Sequence, residues 1–283
     1  MGFADKRQEV KQRNMRILIM ADLHFRGEWY RWLETQNADL TVIAGDLLDG
    51  FSNEGLLVQK LSFSKWVARF PGCLALSSGN HDGNDSSLAG FEIDALVGFS
   101  DKHRAEANRL LSEKHWMDCL ERPGVVTDGR TAVVETPCGS IVVTTIPFDF
   151  GSCGDMDHLW REGALKRKTL RIPWLVLHHE PPANTMVGGQ IGDPSLFYKI
   201  QEYRPNFVVS GHIHVQPYRG SFADKIGETW CFNPGMPEQE HIGAVPNHIV
   251  LDLKAETATW HASPKISKVV SLYFRYDPCN YSW

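Results

Sequence analysis

The sequence predicts an α/β fold: a sandwich of two β-sheets flanked by helices. Short apolar runs at 16–21, 40–45, 141–146, 174–177 and 207–210 have the length and composition of buried strands. The first two runs enclose a stretch with apolar residues at helical spacing, whereas the segments after residue 231 alternate like strands of a second sheet. A chain of 283 residues that is 42% hydrophobic can bury one core of this size. We therefore predict a single large domain.

The first half of the chain reads as a lead-in followed by β-α units. Residues 1–14 are charged and lack an apolar core, so they are predicted to be flexible or loosely helical. A helix is predicted over 28–36, where apolar residues recur at helical spacing. The next helix is predicted to start at a cap, Asn53, and to run to about Phe70, where Pro71-Gly72 stops it.

Two insertions interrupt this pattern. The segment 83–125 begins as a loop and contains a charged stretch, 100–120, that is predicted to form a surface helix ending before Pro123-Gly124. The region 148–170 is rich in Gly, Asp and Trp and has no clean period. It is predicted to be a long loop plus a short helix beside the site, where it would help to select the substrate.

The last third changes character. A helix with an Asp-Pro start is predicted over 194–203, and strands are predicted at 231–232, 248–253 and 257–261. These strands are expected to form a second sheet rather than further β-α units. Residues 266–283 are treated as a tail behind a domain spanning 15–265. The tail either covers an edge strand or packs against another subunit, and we favour the first.

Composition excludes several classes of protein. A net charge of -5 gives no general basic face, which argues against nucleic-acid binding as the main activity. No apolar run approaches the roughly 18 residues that a membrane span requires, and the charged N-terminus does not resemble a signal peptide. The six cysteines form no C-x-x-C pair, which favours reduced thiols. We predict a cytoplasmic protein without a membrane partner, and its oligomeric state stays open.

Polar side chains follow nearly every apolar run. They are Asp22 and His24, Asp46 and Asp49, Asn80, His81 and Asp82, His178, His179 and Glu180, and His212 and His214. The site of an open α/β sheet lies at the carboxyl ends of its strands, so these residues are expected to converge. Asp, His and Asn without Cys suit Mn, Fe(II), Zn or Mg. The sequence therefore predicts a metal site.

Each of these residues also has a structural interpretation. Asp22 and His24 could form a turn that caps a helix, Asn80 could form an Asx turn, and His178 could be a satisfied core histidine. Taken together, these interpretations require unrelated coincidences at six positions, so we favour the metal site. The remaining histidines, at 103, 115, 158, 241, 248 and 261, are predicted to be surface or structural residues.

Five motifs in a fixed order support a more specific interpretation. They are Asp22-x-His24, Gly45-Asp46-x-x-Asp49, Gly79-Asn80-His81-Asp82, His179-x-Pro181-Pro182 and Gly211-His212-x-His214. With these motifs the chain resembles the calcineurin-like metallophosphoesterase superfamily from about residue 16 to about residue 252, and Asn233-Pro234-Gly235 resembles a late turn of that family. The resemblance implies hydrolysis of a phosphate ester by two divalent ions.

The resemblance also implies a role for each residue. Asp46 would bridge the ions, with Asp22, His24 and His214 on the first and Asn80, His179 and His212 on the second. Two ions about 3.5 to 4 Å apart can clamp a phosphate and lower the pKa of a shared water, so that a metal-bound hydroxide attacks phosphorus in line. His81 is expected to stay off the metals and to protonate the leaving oxygen or stabilise the charged transition state.

Five further residues are candidates for supporting the site or contacting the substrate: Asp49, Asp82, Arg26, Phe148 and His178. Purple acid phosphatases carry a tyrosine at the position of Asp49, so a purple centre is not expected. Asp49 and Asp82 are predicted to orient histidine ligands through hydrogen bonds. The H-x-P-P pattern of the superfamily matches His179, and adjacent strand residues face opposite ways, so His178 is predicted to lie behind the site.

The leading function is a metal-dependent phosphoesterase that acts on a small phosphomonoester or phosphodiester. One alternative is a non-catalytic scaffold of the same fold, which the retention of every ligand and of His81 disfavours. Another is a nuclease, for which the chain is short and acidic. The substrate and the identity of the metal stay open.

Overall fold

Two mixed β-sheets form the centre of the fold in the computed structural model. The structure describes residues 15–52, 55–83, 105, 107, 115–120, 122–148, 156–237, 242–263 and 266–272. The strands are β1 (Arg16–Met20), β2 (Leu40–Ala44), β3 (Cys73–Ser77), β4 (Val125–Val126), β5 (Arg130–Thr136), β6 (Gly139–Thr145), β7 (Trp174–Leu177), β8 (Phe207–Val209), β9 (Ala223–Ile226), β10 (Thr229–Phe232), β11 (His248–Asp252), β12 (Thr257–Ser263) and β13 (Ile266–Ser271). Sheet A has the order β13-β12-β11-β1-β2-β3-β4, and sheet B has the order β5-β6-β7-β8-β10-β9.

Helices cover the outer faces of the sheets. They are α1 (Gly27–Glu34), α2 (Leu56–Arg69), α3 (Asp157–Leu170), α4 (Pro194–Tyr203) and α5 (Gln216–Arg219), with a short 3-10 helix over Trp116–Leu120. Apolar side chains of α1 and α2 pack on sheet A, those of α3 and α4 pack on sheet B, and a third cluster fills the space between the sheets. This arrangement confirms the predicted α/β fold with two sheets flanked by helices.

The structure confirms two of the helix predictions and contradicts a third. Those for α1 and α4 are confirmed, and the side chain of Asp193 caps α4 by accepting a 2.6 Å hydrogen bond from the Ser195 amide. The prediction of a short helix in 148–170 is wrong, because α3 has 14 residues. Its buried Leu159, Trp160 and Gly163 follow the helical period, but the Gly- and Asp-rich start of the region hides this pattern.

The prediction that the strands of the last third form a second sheet by themselves is also wrong. Strands β9 and β10 complete sheet B, whereas β11 pairs antiparallel with β1 and thereby extends sheet A through β12 and β13. Alternation shows which residues face inward but does not show which strand is the neighbour. Of the predicted tail, residues 266–271 form β13, the outermost strand of sheet A.

Several sequence predictions fall outside the described residues. They concern 1–14, the cap at Asn53, most of 83–125 including the helix over 100–120, His103 and His241, and the tail after 272. Within the part of the chain that the structure describes, no helix is long and apolar enough to cross a membrane.

Candidate metal centre

The loops that follow β1, β2, β7 and β8 are joined to one another by backbone hydrogen bonds. The amides of Asp22 and His24 donate to the carbonyls of Gly45 and Asp46 at 3.1 and 2.9 Å. The amide of Gly211 donates to the carbonyl of His179 at 2.8 Å. Because β1 and β2 run parallel, as do β7 and β8, their carboxyl ends meet at one edge of each sheet.

One group of side chains gathers around the first loop. Potential ligand atoms of Asp22, His24, Asp46 and His214 all lie within 4.8 Å of one another. The Nε2 atom of His214 lies 3.3 Å from Oδ1 of Asp22, and the Nε2 atoms of His24 and His214 are 3.4 Å apart. These are the residues predicted for the first ion, with the bridging Asp46.

The other predicted ligands meet at Asn80. Its Oδ1 atom lies 3.1 Å from Nε2 of His179 and 2.9 Å from Nδ1 of His212. Asp46 joins the two groups, since its Oδ1 lies 3.4 Å from Nε2 of His179 and its Oδ2 lies 3.8 Å from Nε2 of His24. The structure therefore brings all seven predicted metal ligands together around one carboxylate.

The cluster has unsatisfied atoms that a cation would satisfy. The Oδ2 atom of Asp22 is buried and accepts no hydrogen bond from any described residue. Leaving a buried carboxylate oxygen without a partner is costly. The facing Nε2 atoms of His24 and His214 cannot both carry a proton toward each other. With nitrogen and oxygen donors, the residues present fit divalent ions of the Mn, Fe, Zn or Mg kind.

Charge couples Asp46 to His179. Burial on its own would raise the pKa of Asp46, but the adjacent His179 imidazole outweighs it and holds the pKa well below its usual range. Burial would lower the pKa of His179, but Asp46 raises it to about 9. A metal ion that binds at Nε2 of His179 would take the place of a proton there.

The backbone is strained at the same residues. Asp22, His24, Asp46 and His212 have φ angles of 55°, 43°, 48° and 65°, in the left-handed region that side chains disfavour. Strain of this kind persists where surrounding structure enforces it, and it clusters at functional sites. Here it turns each side chain toward the cluster at the end of its strand.

Glycines allow the loops to approach one another. A Cβ atom added at Gly79 would lie 2.2 Å from Oδ1 of Asp46, and one added at Gly45 would lie 2.3 Å from Nδ1 of His179. Only hydrogen fits at these positions. The Gly-Asp and Gly-Asn motifs therefore need glycine at these two positions because a side chain would collide with a predicted ligand. The sequence alone does not reveal this steric reason.

His81 lies beside the cluster with a defined orientation. Its backbone amide donates to Oδ1 of Asp46 at 3.0 Å, and its Nδ1 atom accepts a 3.1 Å hydrogen bond from the Gly50 amide. Because that amide can only donate, the neutral ring carries its proton on Nε2, which lies 3.9 Å from Oδ2 of Asp46. His81 thus presents an N–H to the cluster.

A second set of possible ligands, His24, Asp49 and His81, is less suited to a metal. Nδ1 of His81 already accepts the Gly50 amide, and Oδ1 of Asp49 accepts the Phe51 amide at 3.0 Å. We therefore assign no ion to this set. Asp49 lies 3.9 Å from Nδ1 of His81, so the histidine beside it is not one of the predicted metal ligands.

The prediction that Asp82 orients a histidine is wrong. Its carboxylate accepts hydrogen bonds from the backbone amides of Leu47, Leu48 and Gly79 at 3.1, 2.8 and 2.7 Å. The residue is fully buried, and burial followed by the charge of Asp46 raises its pKa to about 7 against the opposing effect of these amides. Asp82 instead ties the loop after β2 to the loop after β3.

His178 faces away from the cluster, as predicted. Its Nδ1–H donates to the carbonyl of Ile146 at 3.3 Å, and its Nε2 lies 3.9 Å from Oδ2 of Asp193. Burial lowers the pKa of His178 to about 4, so the ring is neutral at physiological pH. The next residue, His179, contacts Asp46 and Asn80 instead.

The two predicted substrate contacts have different surroundings. The Phe148 ring meets the ring of His179 edge-on with centroids 5.5 Å apart, and it lies 5.9 Å from the ring of His212. The guanidinium of Arg26 lies 5.3 Å from the centroid of the Trp29 ring in the first turn of α1. Phe148 therefore borders the cluster, whereas the contact of Arg26 is with α1.

Asn233, the first residue of the Asn-Pro-Gly turn, has a role that the sequence does not predict. The buried Nδ2 of Asn233 donates to the carbonyls of Gly211 and Ile213, both at 3.3 Å, and its Oδ1 accepts the Gly235 amide at 2.8 Å. The side chain thus fixes the loop that carries His212 and His214.

Comparisons with known proteins agree with this geometry. The family model described as calcineurin-like phosphoesterase matches residues 15–216. No curated protein shows significant sequence similarity to the chain. Among solved structures, one crystal structure aligns with a TM-score of 0.53 at 12% identity, covering 92% of this chain and 99% of the other.

Two further structures are similar at a TM-score of 0.50. The protein TT1561 of Thermus thermophilus is 12% identical, with 92% of this chain and 99% of that chain covered. GAP50, described as the anchor in the inner membrane complex of Plasmodium, is 10% identical, with 93% and 90% covered. At such low identity these structures show a shared fold only. The family model spans most of the chain, and the chain therefore belongs to the calcineurin-like phosphoesterase family.

Proposed function

We propose that the protein is a metal-dependent phosphoesterase that hydrolyses a small phosphomonoester or phosphodiester. The observation that carries this proposal is the position of Asp46. One oxygen of its carboxylate lies 3.4 Å from His179, and the other faces His24 and His81 at 3.8 and 3.9 Å. A single buried carboxylate is thereby shared by two groups of nitrogen and oxygen donors, which suits a site for two ions.

The seven clustered residues would hold the ions. Asp22, His24 and His214 would serve the first ion, Asn80, His179 and His212 the second, and Asp46 both. When bound, divalent ions would neutralise the negative charge of the phosphate and lower the pKa of a water molecule. The chain itself excludes water from one side, since Asp22, Asp46 and His179 are buried.

His81 would complete the reaction by stabilising the departing oxygen. Its Nε2–H faces Asp46, and the Gly50 amide fixes the ring from behind. A hydrogen bond donated by Nε2–H would stabilise the negative charge that develops on the departing oxygen. The molecule proposed to bind at this site is a small phosphorylated substrate.

The alternative is a non-catalytic, metal-binding scaffold of the same fold. The similar structure GAP50 is described as an anchor. A scaffold does not need an oriented histidine beside the ligands. A metal-binding scaffold would also satisfy the buried oxygen of Asp22, so it is the fixed position of His81 that favours the enzyme.

Hydrolysis assays with and without metal test this proposal. Purified protein is treated with a chelator, dialysed, and assayed on nitrophenyl phosphate and bis-nitrophenyl phosphate before and after addition of Mn. We expect no turnover without metal and recovery with Mn, because a lone protein carboxylate does not activate water strongly at neutral pH. His158→Ala, a change at an exposed residue of α3, is the matched control and should behave like the unaltered protein. Full activity in metal-free protein would contradict the proposed function.

A further inference from the structure

Phe51 is a large apolar side chain that solvent surrounds almost completely. It is 88% exposed, more than any other large hydrophobic residue among those described. A single exposed apolar residue is common on protein surfaces and needs no explanation by itself. The position of Phe51 is what distinguishes it, because its ring meets the ring of His81 edge-on with centroids 4.8 Å apart and an interplanar angle of 87°.

The turn that carries Phe51 is held in place. The Phe51 amide donates to Oδ1 of Asp49 at 3.0 Å, and the Gly50 amide donates to His81 at 3.1 Å. Asp49 is fixed in turn by Gln59, a buried residue of α2 whose side chain bonds both the amide and the carbonyl of Asp49 at 2.8 and 3.0 Å. The phenyl ring is therefore presented by an anchored backbone.

A second aromatic ring borders the cluster at its other end. Phe148 packs on His212 and on His179, whose Nε2 faces Oδ1 of Asp46, whereas Nε2 of His81 faces Oδ2. The Phe148 amide donates to Oγ of Ser78 at 2.9 Å, which ties its backbone to the end of β3. Phe51 and Phe148 thus flank the cluster, and Phe51 is the one beside His81, the residue proposed to contact the leaving oxygen.

We propose that Phe51 determines specificity by packing against a planar aromatic ring on the leaving alcohol of the substrate. This inference rests on the phosphoesterase function proposed above. The oxygen that departs from phosphorus must come within hydrogen-bond reach of His81, so the group attached to it lies close to the exposed ring of Phe51. Aromatic rings prefer stacked or edge-to-face partners, and one such contact changes affinity by about five- to a hundredfold.

Two esters with leaving groups of similar size and basicity test this inference. The metal-loaded protein is assayed on benzyl and cyclohexylmethyl esters, each as the phosphomonoester and as the methyl phosphodiester. We expect kcat/KM for the benzyl ester to exceed that for the cyclohexylmethyl ester by about tenfold. Phe51→Leu should bring this ratio close to one, and Phe51→Trp should preserve it. The control Tyr198→Leu removes another exposed aromatic residue, on α4, and should preserve the ratio as well.

The outcomes separate the two proposals. Hydrolysis without a preference for the benzyl ester, or a preference that survives in Phe51→Leu, would overturn the inference and leave the phosphoesterase function intact. If the protein hydrolyses neither these esters nor the nitrophenyl substrates, both the proposed function and this inference are overturned. Because Phe51 is exposed, its variants should fold and retain metal, which circular dichroism and metal analysis can verify.

Discussion

The backbone amide of Gly50 donates a hydrogen bond to Nδ1 of His81 at 3.1 Å, and this contact decides which ring nitrogen of His81 carries the proton. The other ring nitrogen, Nε2, must carry the proton in the neutral ring, and it lies on the side of Asp46. A metal ligand would need a free lone pair at that position. The geometry therefore suits a hydrogen-bond donor better than a metal ligand.

Replacing this ring should affect the chemistry and not the metals. We expect His81→Ala to keep its metal content but to slow turnover of an alkyl phosphate ester by on the order of a hundredfold, the usual loss when one hydrogen bond to a developing oxyanion is removed. The loss should be smaller for a nitrophenyl ester, whose leaving oxygen is a stable anion without this hydrogen bond. Equal losses for both esters, measured as kcat, would show that His81 does not act on the leaving oxygen.

The adjacent histidines that follow β7 should differ in metal binding. His179 contacts Asp46 and Asn80, whereas His178 contacts Ile146 on the other side of the strand. We expect His179→Ala to retain about one ion per chain after dialysis, because the first group of ligands is intact, and His178→Ala to retain two. Metal content measured by mass spectrometry checks this. The opposite pattern would show that His178, and not His179, is the metal ligand.

The close approach of Gly79 to Asp46 gives a steric prediction. A methyl group at Gly79 would lie 2.2 Å from Oδ1 of Asp46, so the carboxylate or the loop must move. We expect Gly79→Ala to lose bound metal and activity even though it removes no ligand. Gly83→Ala is the matched control, since nothing lies within 4 Å of its added Cβ. Equal metal affinity in the two variants, measured by titration, would mean that the loop yields without disturbing Asp46.

A histidine that is not among the predicted metal ligands predicts how stability depends on pH. His248 in β11 stacks on His261 with ring centroids 4.7 Å apart, and burial lowers its pKa to about 4. The unfolded value is about 6.5, so the unfolded chain binds the extra proton between these pH values. The contribution of His248 is complete above pH 6.5 and is lost as the pH falls toward 4. In the presence of a chelator, the free energy of unfolding should therefore fall less steeply with decreasing pH in His248→Phe than in the unaltered protein. The difference between the two slopes should correspond to close to one proton. Identical slopes would refute the pKa shift.

The fold and the site differ in how far the sequence could predict them. The metal ligands could be predicted because each follows a buried strand and because parallel strands end at a common edge. The pairing of β11 with β1 could not be predicted, since alternation in Ile249 and Leu251 shows burial but not the neighbouring strand. The contacts of Asp82 were also missed, because backbone amides carry no signal in the sequence.

In the proposed metal centre, Asp46 is shared by two metal ions. Metal content and affinity of Asp46→Asn, measured by mass spectrometry and calorimetric titration with Mn, test it most directly. We predict that the unaltered protein binds two ions per chain and that the variant loses both together, because the amide removes the negative charge that both ions share. A variant that loses one ion and keeps the other at unchanged affinity would show that Asp46 serves a single ion.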